Sequence, residues 1–166
     1  MKLSPLTLAS FVVLFSYISA VTANFDLYHG VAGAQSYYDD VWQIFDTDPD
    51  CNQVYNTDYY LDSNDVSGNK IGVRCEDSNG GCGGNVDPIG IDVVEMHFSN
   101  NPLYHFTIYK NRGNYDMIGL DGRVYGHCIL FPANTYFCSI GIMTRSGHRK
   151  FRCLTEFTAA QINAAN

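Results

Sequence analysis

IDVVEMHFSNNPLYHFTIYKNRGNYDMIGLDGRVYGHCILFPANTYFCSIGIMTRSGHRKFRCLTEF, residues 91–157, is the stretch whose reading decides the fold. Turn signals cut it at Asn100-Asn101-Pro102, Asn111 to Asn114, Asp121-Gly122, Pro132-Ala133-Asn134 and Ser146-Gly147. The segments between are rich in β-branched and aromatic residues, which suit a half-buried pleated surface. Six strands are expected, near 91–98, 103–110, 115–120, 123–131, 135–144 and 148–157. The fold class is therefore all-β: an antiparallel meander forming a sandwich or a partly closed barrel.

Turn lengths fix an expected register. A three-residue loop at Pro132-Ala133-Asn134 sets Phe131 against Thr135 and Cys128 against Cys138, so a Cys128–Cys138 cross-strand disulfide is expected. Cys75 and Cys82 then close the glycine-rich loop NGGCGGN (79–85), and Cys51 pairs with Cys153. Zinc is the alternative use of six cysteines, but no pair is spaced C-x-x-C. The turn at Ser146-Gly147 gives a hairpin with a basic tip: Arg145, His148, Arg149, Lys150 and Arg152. Such a tip fits a contact for a polyanion or an acidic partner. It equally fits a charged edge strand, or a surface docked on the acidic half of the chain.

That acidic half is pronounced. Residues 24–95 carry 14 acidic against 2 basic side chains, and residues 96–166 carry 3 against 7, within a formal net charge of −7. The balance speaks against wholesale binding to nucleic acid. Asp46, Asp48 and Asp50 form D-x-D-x-D, but an EF-hand would need glycine and glutamate where Cys51 and Thr57 stand. A solvated acidic turn is expected instead. Tyr38, Val41, Trp42 and Phe45 fit helical spacing or a short aromatic strand, and the β-rich context favours the strand. Tyr55, Tyr59 and Tyr60 suit a polysaccharide or protein contact surface as well as a small core. NGGCGGN lacks the spacing and following helix of a phosphate cradle, so no nucleotide or other cofactor is expected. Thr158 to Gln161 reads as a capping box opening a short terminal helix.

Met1–Ala23 has the form of a secretory signal peptide, with Lys2 ahead of an apolar run and Val21-Thr22-Ala23 as the cut, Ala20 being a competing one. Residues 24–166 then form one exported domain without a membrane span. Six cysteines in such a chain fit three disulfides. No N-x-[ST] sequon is present.

For chemistry, the densest neighbourhood is VEMHFSNNPLYHFTIY (94–109). If the loop is Ser99–Pro102, Glu95, His97 and Tyr104 share one face, with His105 on the other. A carboxylate, an imidazole and a phenol could do the acid–base work of phosphodiester cleavage. No serine-nucleophile elbow is present. Paired carboxylates for glycoside hydrolysis, with Glu95 and Glu156 among the candidates, depend on how the chain folds.

Two resemblances follow. PLYHFTIY and the strand, turn and strand after it resemble the central sheet of fungal guanyl-specific ribonucleases. That family places catalytic Glu, Arg and His on successive strands. Here those positions hold His105, Asp116 and Leu130, so the resemblance implies a ribonuclease-like scaffold without the family's chemistry. VWQIFDTDPDC, GNKIGVRC and RKFRCLTEFTAAQI, with the leader and the cysteines, resemble small secreted cysteine-stapled fungal proteins, some of them effectors. That likeness implies a non-enzymatic virulence or toxin-type protein whose partner is an extracellular or host protein or a polysaccharide. The alternative is a secreted hydrolase.

Overall fold

A computed structural model describes residues 23–165, so all of the expected signal peptide but Ala23 lies outside the described residues. The chain is all-β, as its turn and strand pattern predicts. Its strands are β1 (Ala23–Ala34), β2 (Tyr37–Phe45), β3 (Tyr60–Leu61), β4 (Gly72–Asp77), β5 (Ile91–His97), β6 (His105–Tyr109), β7 (Asp116–Gly119), β8 (Val124–Leu130), β9 (Thr135–Ile140) and β10 (Met143–Thr155). Two short helices are added, α1 (Cys51–Asn56) and α2 (Ala159–Asn163).

The sheet runs in the order β3-β2-β1-β10-β8-β7-β6-β5-β4. It curls until β3 meets β4, where Asp62 bridges Val73 and the Ser63 amide donates to the Val73 carbonyl at 3.0 Å. The result is an antiparallel barrel, nearly closed. Alternation does the sorting: inward residues such as Phe25, Leu27, Trp42, Met96, Phe106 and Phe151 form one buried cluster that fills the lumen. Ile162 of α2 joins that cluster, and Thr158 caps the helix in the expected box with Gln161. No helix among the described residues is long and apolar enough to cross a membrane.

The longest strand corrects the meander. The turn expected at Ser146-Gly147 lies instead at Gly141, which supplies the positive φ of 59°. Gly147 is needed in mid-strand, because a Cβ there would lie 2.5 Å from the Tyr136 ring. β10 therefore runs 13 residues without a break. It pairs with β9 over Met143–His148 and with β8 over Phe151–Thr155, with β1 alongside both. β8 and β9 thus queue along one strand rather than forming a hairpin.

This arrangement overturns two of the three expected disulfide pairs. Cys128 faces Cys153 across β8 and β10 and is bonded to it, and Cys138 is bonded to Cys51 of α1. Cys75–Cys82 closes the glycine-rich loop as expected.

The acidic turn is also more than solvated surface. Asp50 caps α1 in a reciprocal box with Gln53, Asp46 accepts from the Ala159 amide at 2.7 Å, and Asp48 pairs with Arg149. α1 is an addition to the elements that the sequence pattern predicts.

Candidate functional site

The expected acid–base face is present with one member exchanged. Pro102–Tyr104 forms a 3-10 turn, so β6 starts at His105 and the register shifts by one. His97 then faces His105, and Glu95 faces Thr107 and Arg74. Tyr104 does not join them: it packs edge-on against Phe157, ring centroids 5.5 Å apart.

On the outer sheet face, Glu95 Oε1 lies 3.0 Å from His105 Nε2 and Oε2 accepts from Arg74 Nε at 3.0 Å. The His97 and His105 rings stack at 4.2 Å, and His97 Nδ1 lies 2.9 Å from the Val66 carbonyl. Both imidazoles are buried, the loop carrying Val66 lying over His97. Burial pushes the His105 pKa down, the Glu95 hydrogen bond pulls it up, and His97 adds to the lowering. A second carboxylate–imidazole pair, Asp116 and His127 at 3.0 Å, lies near the far end of β6, roughly 13 Å away by strand rise. The two pairs cannot converge on one scissile bond.

The five basic residues do not form a hairpin tip. They lie within β10, and the chain supplies partners for four of them. Arg145 donates to the Val54 and Thr57 carbonyls at 2.6 and 3.2 Å. Arg149 and Arg152 both hold Asp26 and both lie over the Phe131 ring. His148 faces His29 and Thr135 across the neighbouring strands.

Lys150 is fully buried, its ammonium donating to the carbonyls of Gly81, Gly83 and Val86 at 3.0, 2.6 and 2.6 Å. Three donors meet three acceptors, which pins the disulfide-closed loop over the barrel. Burial pushes the Lys150 pKa down to about 8. Lys150→Met should leave these carbonyls without donors and cost about 2 kcal/mol. Hydrogen exchange should quicken selectively over residues 80–88; unchanged exchange there would refute the tether.

What remains open lies at the other end of the sheet. Beyond the barrel, β2, β1, β10 and β9 continue as a four-stranded extension. Its two turns expose Tyr37 (72 %), Ile140, Ile142 and Met143, while Tyr38 and the mid-strand Phe137 are exposed on the opposite face.

On one face of this extension the cross-strand rows read Tyr37–Ala34–Met143 and Asp39–Ala32–Arg145. Small residues on the central strand between larger ones on its neighbours make a trough of about 280 Å³, closed at its back by Tyr59. The Arg145 guanidinium lies over the Tyr59 ring at 5.0 Å and over the Tyr55 ring at 5.2 Å. Of the tyrosines marked in the sequence, Tyr59 is exposed in this trough, Tyr60 is buried, and the Tyr55 hydroxyl donates to Cys138 and Met143 carbonyls. Among the described residues, no group of three or more His, Cys, Asp or Glu is placed to hold a metal.

Comparison with protein families, with curated proteins and with solved structures finds no match to this chain.

Proposed function

We propose that the chain is a secreted, non-enzymatic interaction protein of effector or toxin type. It engages an extracellular or host macromolecule through the free end of its four-stranded extension. The observation that carries this reading is the cluster of exposed Tyr37, Ile140, Ile142 and Met143 at two adjacent turns. Ala34 pairs with both Tyr37 and Met143, so the two turns form one surface. Contiguous apolar surface of this kind marks interaction sites on soluble proteins. Three disulfides suit an oxidising compartment, and they tie this end to the rest: Cys51–Cys138 joins α1 to β9 beside the patch. Binding of labelled protein to cell-wall and cell-surface fractions tests the reading. Ile142→Asp should reduce retention at least ~10-fold at unchanged stability. Equal retention would remove this surface from consideration.

A second reading, a ribonuclease-like hydrolase, is favoured by the Glu95 face only in its corrected form: Glu95 held between Arg74 and His105, with His97 stacked beside. Incubation with RNA across acid to neutral pH separates the two readings. The interaction reading expects no turnover. Cleavage that disappears in Glu95→Gln would establish the hydrolase.

A further inference from the structure

We propose that the trough is a binding subsite for a neutral polysaccharide chain; this rests on the interaction reading above and names its ligand. The outer strands of the trough, β2 and β10, are each one strand spacing from β1. The walls therefore stand about 10 Å apart, wide enough for one chain of pyranose rings. The floor is methyl groups of Ala32 and Ala34, which present no polar group needing a partner.

Two phenol rings line the space. Tyr37 is open to solvent, and Tyr59 is backed by a guanidinium that is itself fixed to two carbonyls. Pyranose rings offer flat C–H faces to aromatic side chains and hydroxyls to polar groups at the ring edge. Asp39 supplies an acceptor and Arg145 supplies donors on opposite walls. Arg145 is held before any ligand arrives, so ordering it costs little on binding.

Charge narrows the class. Asp39 lies in the trough, exposed Asp40 follows it in the chain, and the surrounding half of the sequence is strongly acidic. A polyanionic glycan or nucleic acid would be repelled. An apolar lipid surface would strip water from the Asp39 carboxylate without replacing its hydrogen bonds.

The test uses the disulfide-bonded protein from residue 24 onward. Calorimetry is run with cello-, laminari- and chito-hexasaccharides, and with polygalacturonate as the anionic control. At least one neutral oligosaccharide should bind. Tyr37→Ala and Tyr59→Ala should each weaken it at least ~10-fold. Ala34→Trp, which fills the trough, should abolish binding, with thermal melts confirming each fold.

Glycan binding untouched by these variants would place the site elsewhere and overturn the proposal. So would a preference for polygalacturonate. If no glycan binds while surface retention still depends on Ile142, the ligand is not a neutral glycan, and the interaction reading survives alone. If retention also ignores Ile142, both fall.

Discussion

Asp26→Ala is expected to lower the unfolding free energy by about 3–5 kcal/mol, the cost of breaking a buried ion pair from one side. Asp26 is fully buried in β1. Its carboxylate accepts from Arg149 Nη1 at 2.9 Å and from Arg152 Nε and Nη2 at 2.6 and 2.7 Å. Arg149 also donates to Asp48 at 2.5 Å and to the Phe131 carbonyl at 2.7 Å. The two guanidinium groups lie over the Phe131 ring, centroid distances 4.1 and 4.3 Å. One carboxylate therefore ties β1 to β10 and both to the crossover that separates β8 from β9. Removing it leaves Arg149, nearly buried, with only the exposed Asp48 as counter-charge. Against a usual domain stability of roughly 5–15 kcal/mol, the loss is large. Urea titration should show the midpoint fall with the slope unchanged. Arg152→Met should cost much less, because Arg152 reaches solvent and Asp26 keeps Arg149. A loss under about 1 kcal/mol in Asp26→Ala would mean that the pair contributes no net stability, as some surface pairs do not.

Why this centre escapes a reading of the sequence is instructive. Arg149 and Asp26 lie 123 positions apart, and nothing local distinguishes a paired arginine from an exposed one. Short-range patterns were legible: strand segments, the Cys75–Cys82 loop and the Thr158 box all follow from neighbours in the chain. Local signals mislead where a non-local partner competes with them. Pro132-Ala133-Asn134 has hairpin chemistry, yet the positive φ falls on Ala133 and the chain crosses to a different partner. Ser146-Gly147 has turn chemistry, yet Gly147 is flat so that Tyr136 can cover it. At Pro102–Tyr104, three residues of 3-10 turn moved the register by one place, exchanging Tyr104 for His105 beside Glu95. A strand has a period of two, so a slip of one residue is enough to change a site's membership. The trough depends on the register of three strands at once, and only Tyr59 of its lining stands in the segment whose tyrosines suggest a contact surface in the sequence.

His29 should make the protein acid-sensitive, and Trp42 should report it. His29 is 4 % exposed, and neither ring nitrogen has a hydrogen-bond partner among the described residues. Burial, reinforced by Lys150 and His148, pushes its pKa down to about 4. A histidine held neutral in the fold but free to charge when unfolded stabilises fully above the unfolded pKa of about 6.5. That contribution is lost as pH falls through 4, about 3 kcal/mol in all by linkage. Asp62, whose carboxylate lies 3.9 Å from His29 Nε2, acts in the opposite sense. Its pKa is raised by burial, so its own contribution is present at low pH and lost as pH rises. Comparison with His29→Phe isolates the histidine: the variant should lack the steep loss between pH 6.5 and 4. Trp42 is the only tryptophan, its ring centroid 4.5 Å from the imidazole, and an imidazolium quenches indole emission. Native-state fluorescence should therefore fall with an apparent pKa near 4 in the wild type and stay level in His29→Phe. Quenching centred near 6.5 would mean that the imidazole is solvated, and the acid sensitivity would have to come from another group.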